Sequence, residues 1–211
     1  MVRVMETPTG ATSEYRKVDF PAAKNEQEKL IVAGFLKSPP NSEYRFLAFE
    51  GIVGEQNPEN HFDFTLKSRN GNISYLELTE CAPFAKGAEG YGSAPSVHNS
   101  YDFASGLISQ IITKSTKYGS APKGGLSLLL YETDWKFMPS QTALALLQYW
   151  TLTQRHIFAA IFWYHPIEMT GGISQLIFPT PTRYWANFSP DKYRDTVVTN
   201  LSPTGWKLSQ G

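Results

Sequence analysis

The chain is expected to fold as a single mixed α/β domain, a central mixed sheet with helices on both faces. Three observations lead there. Apolar residues recur at helical spacing in three well-separated segments. Two short alternating segments, HFDFTLK and ISYLELT, flank a turn signal at Arg69-Asn70-Gly71. Two continuous apolar runs, GLSLLLY and HIFAAIFWY, have the character of strands buried on both faces. With 211 residues, 41% of them hydrophobic, the chain is long and apolar enough to bury one core without covalent staples.

The elements follow in order. Residues 1 to 20 are polar and suggest a loose arm or an edge strand. Lys24 to Lys37 reads as a helix, with Ile31, Val32, Phe35 and Leu36 on one stripe; Ser38-Pro39-Pro40-Asn41 ends it, because proline cannot continue a helix. Tyr44 to Val53, aromatic and β-branched, reads as a strand. His61 to Lys67 and Ile73 to Thr79 form a hairpin, and residues 82–100, rich in Gly, Ala, Pro and Ser, a long loop. Tyr101 to Tyr118 is a helix with Leu107, Ile108, Ile111 and Ile112 inward, Lys114 and Lys117 in its last turns, and Gly119 closing it. Gly125 to Tyr131 is a buried strand, Pro139 to Thr153 a helix capped by Ser140, His156 to Tyr164 a buried strand, and Ile173 to Phe178 a short one. No assignment is made beyond Pro179, and no internal repeat is visible. One domain spans 1–211, with a core at 24–131 and a helix-and-strand extension at 132–211.

Charge narrows the function classes. Lys plus Arg equals Asp plus Glu at 19 each, so the chain lacks the basic coat of a nucleic-acid packaging protein, although a local basic groove remains compatible with that balance. The single cysteine, Cys81, cannot form a disulfide within the chain, as suits a reducing compartment. No signal-peptide pattern and no uninterrupted apolar run of membrane-spanning length is present, so a cytoplasmic protein is expected.

The hairpin singles out two acids. A two-residue turn at Asn70-Gly71 would set Glu77 against Phe64 and Leu78 against Asp63, mixing apolar and charged groups on each face. A three-residue turn with Gly71 left-handed sorts them: Phe62, Phe64, Leu66, Leu76 and Leu78 share one face, while Asp63 lies opposite Glu77 and His61 opposite Thr79 on the other. Opposed side chains have Cβ atoms about 5 Å apart, so two carboxylates meet there. Such a pair is tolerable if one acid is protonated or a cation sits between them, and hard oxygen donors suit Mg²⁺ or Mn²⁺. The ordinary alternative is a solvated acidic pair on an open sheet face.

The stretch HFDFTLKSRNGNISYLELTE resembles the core of the PD-(D/E)xK nuclease-like superfamily, the restriction-endonuclease-like fold. That family orders a helix, a three-strand meander, a helix and a further strand, and the resemblance covers about residues 24–131, including KSTKYG and GGLSLLLYE. It implies that Asp63 takes the place of the motif's Asp and Glu77 that of its acid. The implied ligands of Mg²⁺ or Mn²⁺ are Asp63, Glu77 and the Leu78 carbonyl. Phe62 stands where the family has Pro, and Thr79 stands where it has its lysine. Some subfamilies resemble this chain in having Glu, an aliphatic residue and Thr there; in others the lysine comes from the following helix. Lys114 is the candidate for that migration, with Lys117 or Lys86 as substitutes. The family also often carries an acid on its first helix; Glu28, on the face of Ile31, Val32 and Phe35, is the candidate and Glu26 the alternative. The resemblance implies metal-assisted phosphodiester hydrolysis, with DNA as the expected partner and a homodimer as a common assembly.

Other constellations carry less. His61 and Asp63 share a strand face, but a zinc site would need a distant second histidine such as His98. His156 and His165 bracket a buried strand and read as structural. No GxSxG, P-loop or dinucleotide fingerprint is present, and Cys81, Ser93, Ser96 and Ser100 lack a nucleophile signature. The tryptophans read as core or interface, and Arg183-Tyr184-Trp185 as a conceivable stacking patch. Three functions therefore compete: a metal-dependent nuclease; an inactive member of the same fold serving nucleic-acid binding or assembly, favoured by Thr79; and a small-molecule or metal-binding domain, favoured by the zero net charge.

Overall fold

The computed structural model describes residues 2–7, 10–15, 18–38, 40, 49–55, 62–68, 71–82, 97–134, 137–195 and 197–199, of which 2–15, 49–55, 68, 97, 98 and 197–199 are described by their backbone alone. The expected positions His61, Arg69, Asn70, Lys86, Ser93, Ser96, Trp135 and Trp206 lie outside the described residues, as does the start of the strand expected from Tyr44.

The strands are β1 (Val2–Thr7), β2 (Gly10–Tyr15), β3 (Phe49–Glu55), β4 (Phe64–Ser68), β5 (Ile73–Glu80), β6 (Val97–Asn99), β7 (Leu126–Tyr131), β8 (Ala160–Glu168), β9 (Gly171–Phe178) and β10 (Val197–Thr199). The helices are α1 (Lys24–Lys37), α2 (Ser100–Tyr118) and α3 (Gln141–Thr153). Strands β1 and β2 pair as an antiparallel hairpin, and β6 pairs with β10. The central sheet has six strands in the order β3-β4-β5-β7-β8-β9. Its middle, β5-β7-β8, is parallel, and both flanks are antiparallel. The sheet is therefore mixed, and β8 and β9, beyond residue 131, extend it rather than forming a second one.

Parallel neighbours need crossover connections, and α2 and α3 supply them. Both lie on one face, where Leu107, Ile111, Leu144 and Leu147 pack with Leu126, Leu128, Leu130 and Ile161. Helix α1 covers the other face, where Ile31, Val32 and Phe35 meet Leu76, Leu78, Leu129, Phe162 and Tyr164. Residues of β7 alternate between these two cores and are all buried, which explains the unbroken apolar run in the sequence. The helix ends obey their capping chemistry: Asn99 accepts from the Tyr101 N–H, Ser140 accepts from the Ala143 N–H, and the Gly119 N–H bonds the Ser115 carbonyl at φ 70°. No helix among the described residues is long and apolar enough to cross a membrane.

Two expectations are corrected. The strand expected at His156 to Tyr164 runs instead over Ala160–Glu168. The His156 ring meets the Thr151 carbonyl at 3.0 Å and the Ile157 N–H donates to Ser115 Oγ at 3.0 Å, so helix-side partners hold this stretch until the Ala159 N–H reaches Leu126. The loop expected over residues 82–100 ends in strand β6, whose partner β10 lies in the C-terminal segment that had no assignment.

Truncating Leu129, fully buried at the sheet centre, to Ala is expected to lower unfolding stability by about 2–5 kcal/mol. Gly172→Ala should cost roughly 1–3 kcal/mol, because the added Cβ would lie 2.2 Å from the His165 carbonyl oxygen, a backbone atom that cannot yield. Ile73→Ala, at a side chain 40% exposed, should stay within about 1 kcal/mol of wild type. Urea denaturation of the three variants checks the order.

Candidate functional site

The hairpin register comes first. Phe64 pairs with Leu76, Thr65 with Tyr75, Leu66 with Ser74 and Lys67 with Ile73, and Gly71 has φ 81°. This is the register of the three-residue turn, with Asp63 next in line opposite Glu77. Leu66, Phe64, Leu76 and Leu78 face α1 as expected, but Phe62 does not. It lies on the α2 face, its ring 5.1 Å from Tyr75 and 5.0 Å from Tyr118. The chain bends at Asp63, strand alternation ends at Phe64, and Phe62 crosses to the other core.

The bend has a consequence for β5. In this register Leu78 would face Phe62, which is no longer in the strand, so its main-chain groups on that side have no partner in β4. Side chains take them. Asp63 Oδ2 accepts the Leu78 N–H at 2.8 Å, and Lys114 Nζ donates to the Leu78 carbonyl at 2.9 Å. Lys114 Nζ also forms a salt bridge and hydrogen bond with Glu77 Oε1. Asp63, Glu77, Leu78 and Lys114 thus meet at one point. Lys114 reaches it because it follows Leu107 and Ile111 on the inward stripe of α2.

Sequence reasoning missed Tyr118, which continues that stripe by one turn; the helical spacing from Ile111 and Lys114 is the signal that would have found it. Its phenol is held well above its usual pKa, first by burial and then by the neighbouring Glu77 carboxylate. Thr79 Oγ1 on β5 and Gln110 Oε1 on α2 are buried without a hydrogen-bond partner, and Glu77 Oε2 and Tyr118 Oη interact only outside regular hydrogen-bond geometry. Such orphans are rare in folded proteins and mark places where water, an ion or a ligand supplies the missing contact.

Charge is out of balance. Glu77 is only 2% exposed and Asp63 is half-buried beside it. Burial, and then the Glu77 charge, push Asp63 up to about 6; the Leu78 N–H and Lys114 pull the other way, and Glu28 adds a small further push. Glu28 belongs to α1, pairs with Lys24 at 3.5 Å, and exerts its effect from the opposite side of the sheet. Glu26 is exposed in the first turn of α1. Lys117 turns outward, its ammonium 5.0 Å from the Tyr118 ring centroid.

The donor set fits a hard cation in part. Asp63 and Glu77 offer carboxylate oxygens, Glu77 Oε2 makes no regular hydrogen bond, and one ammonium does not neutralise two acids. The Leu78 carbonyl is engaged by Lys114. Among the described residues no group of three His, Cys, Asp or Glu side chains is arranged to hold a metal ion. The described histidines lie elsewhere: His165 Nδ1 abuts the fully buried Glu132, and burial lowers the pKa of His156. Arg183 sits over the exposed Tyr184 ring on a 3-10 turn, while Trp185 packs on Tyr149 and Phe188.

The Asp63 shift sets a pH dependence. A carboxyl whose folded pKa lies above its unfolded value of 3.8 holds its proton more tightly in the native state, so its contribution to stability falls as pH rises from about 4 through about 6. Asp63→Asn keeps an acceptor for the Leu78 N–H and removes the titration. Without divalent cation, the variant should therefore gain melting temperature relative to wild type as pH rises across that window, a difference that thermal denaturation at pH 4 and pH 7.5 measures. No protein-family model, curated protein sequence or solved structure matches this chain significantly.

Proposed function

We propose that the protein is a metal-dependent phosphodiester hydrolase of the restriction-endonuclease-like kind, acting on nucleic acid, with DNA as the first substrate to test. One observation carries this reading: Lys114 reaches from α2 to Glu77 and the Leu78 carbonyl beside Asp63, so an ammonium is present although Thr79 stands at the motif's lysine position. The element order, α1, the β3-β4-β5 meander, α2 and β7, supports the same reading.

In this reading Asp63 and Glu77 hold the cation, whose chemistry when bound is to lower the pKa of a coordinated water and to polarise the phosphate. Asp63 is kept ready by its bond from the Leu78 N–H, which fixes one oxygen and leaves the other free to bind. Lys114 supplies positive charge where a phosphorane-like oxygen becomes more negative. The Tyr118 phenol stays protonated and acts as a donor towards the Glu77 side of the site. Glu28 adds negative potential from α1.

A second reading has its own support. Asp63 and Lys114 both satisfy the Leu78 main chain, and that structural duty alone would retain them in an inactive member of the fold serving nucleic-acid binding or assembly.

Purified protein incubated with linear, circular and single-stranded DNA and with RNA, in Mg²⁺ or Mn²⁺, is expected to cleave at least one substrate, and chelator should abolish the cleavage. Asp63→Asn and Glu77→Gln, nearly isosteric, should each reduce the rate roughly 10²-fold or more. Cleavage that survives both substitutions would exclude this site, and absence of cleavage of every substrate would favour the inactive module.

A further inference from the structure

We infer that Lys114 is the resting occupant of the cation position and must leave it for a divalent ion to bind, so that metal loading and release of the lysine are one event. The inference rests on the metal-site reading above and adds to it a regulatory role for the lysine.

The geometry leaves little alternative. Lys114 Nζ bonds two oxygens at once, Glu77 Oε1 and the Leu78 carbonyl, and these are two of the three oxygens that a cation held with Asp63 would use. An ammonium and a divalent cation cannot share them. They compete for the same lone pairs, and like charges at contact repel strongly in a half-buried site. The Glu77 carboxylate is nearly inaccessible, whereas the Lys114 side chain retains 28% of its exposure. The lysine can therefore swing outward on its flexible stem while the acid stays in place.

The rest of the site is arranged to survive the exchange. Asp63 holds the Leu78 N–H, not its carbonyl, so the strand end remains tied when Lys114 departs. Glu77 Oε2 makes no regular hydrogen bond in the resting state, so it can join Oε1 on a cation once the lysine has left. A cation supplies two positive charges where the lysine supplied one, which balances the two adjacent carboxylates of Asp63 and Glu77. Once outside, Lys114 carries an unpaired charge at the mouth of the site, where a backbone phosphate is the complementary partner.

The test is Mn²⁺ binding by calorimetry to wild type and to Lys114→Met, with Lys114→Gln as a second variant that keeps a hydrogen-bond donor for the Leu78 carbonyl but drops the charge. Both variants are expected to bind Mn²⁺ about tenfold more tightly than wild type or better, because binding no longer displaces an ammonium. In wild type itself, Lys114 should be modified by an amine-reactive reagent several-fold faster with Mn²⁺ than without, as read by peptide mass spectrometry; this arm does not depend on the folding of a variant. Equal or weaker Mn²⁺ binding by both variants, with Lys114 reactivity unchanged by Mn²⁺, would overturn the exchange while leaving a metal site in place. Absence of Mn²⁺ binding in wild type and both variants would overturn the exchange and the metal reading together.

Discussion

The site depends on a single main-chain residue. Strand β5 continues past the point where its neighbour β4 stops, and Leu78 presents its N–H and C=O to a partner that is not there. Both groups are too deep to be left bare, since an unmatched buried peptide group costs about 1–3 kcal/mol. The fold answers with one acid and one base: Asp63 caps the donor and Lys114 the acceptor. Convergence of opposite charges on the main chain of one residue then draws in Glu77, which alternation already directs to the α2 side. Remove the bend at Asp63 and the ladder would run on to Phe62, closing the gap and the site with it.

What holds the two acids together against their mutual repulsion is packing rather than charge. Leu76 and Leu78 lock β5 onto α1, while Leu107 and Ile111 lock α2 onto the opposite face. The carboxylates are therefore carried by a framework whose apolar contacts far outweigh the local electrostatic penalty.

Much of the framework was legible in the sequence because it follows periodicity. The stripes of α1 and α2, the caps at Ser140 and Gly119, the unbroken run of β7 and the register set by Gly71 all read directly from residue spacing. The pairing of Asp63 with Glu77 was legible for the same reason, whereas Lys114 was singled out only by the resemblance to a family whose lysine can come from the following helix, with Lys117 and Lys86 as alternatives. Phe62 was not legible. Its alternation pattern is that of a strand residue, and only the capture of the Leu78 N–H by Asp63 turns the backbone there. The boundaries of β8 were likewise invisible, since His156 and Ile157 are strand-like in character but are claimed by the Thr151 carbonyl at the end of α3 and by Ser115 of α2, the latter distant in sequence. Long-range competition for hydrogen bonds leaves no trace in local pattern. Nor could spacing foresee that the lysine would sit on the oxygens themselves, because that depends on the length and freedom of one side chain.

Strand β3 closes the sheet beside this site, and its pairing with β4 is interrupted twice, between Phe49 and Gly51 and between Ile52 and Gly54. Each irregularity adds an extra residue and increases the local twist. The outer rim of β3 is consequently not a straight row of alternating donors and acceptors. A second chain seeking to add itself as a further strand would find its hydrogen bonds out of phase after only a few residues. Paired irregularities of this kind are one way in which an edge strand resists templated growth.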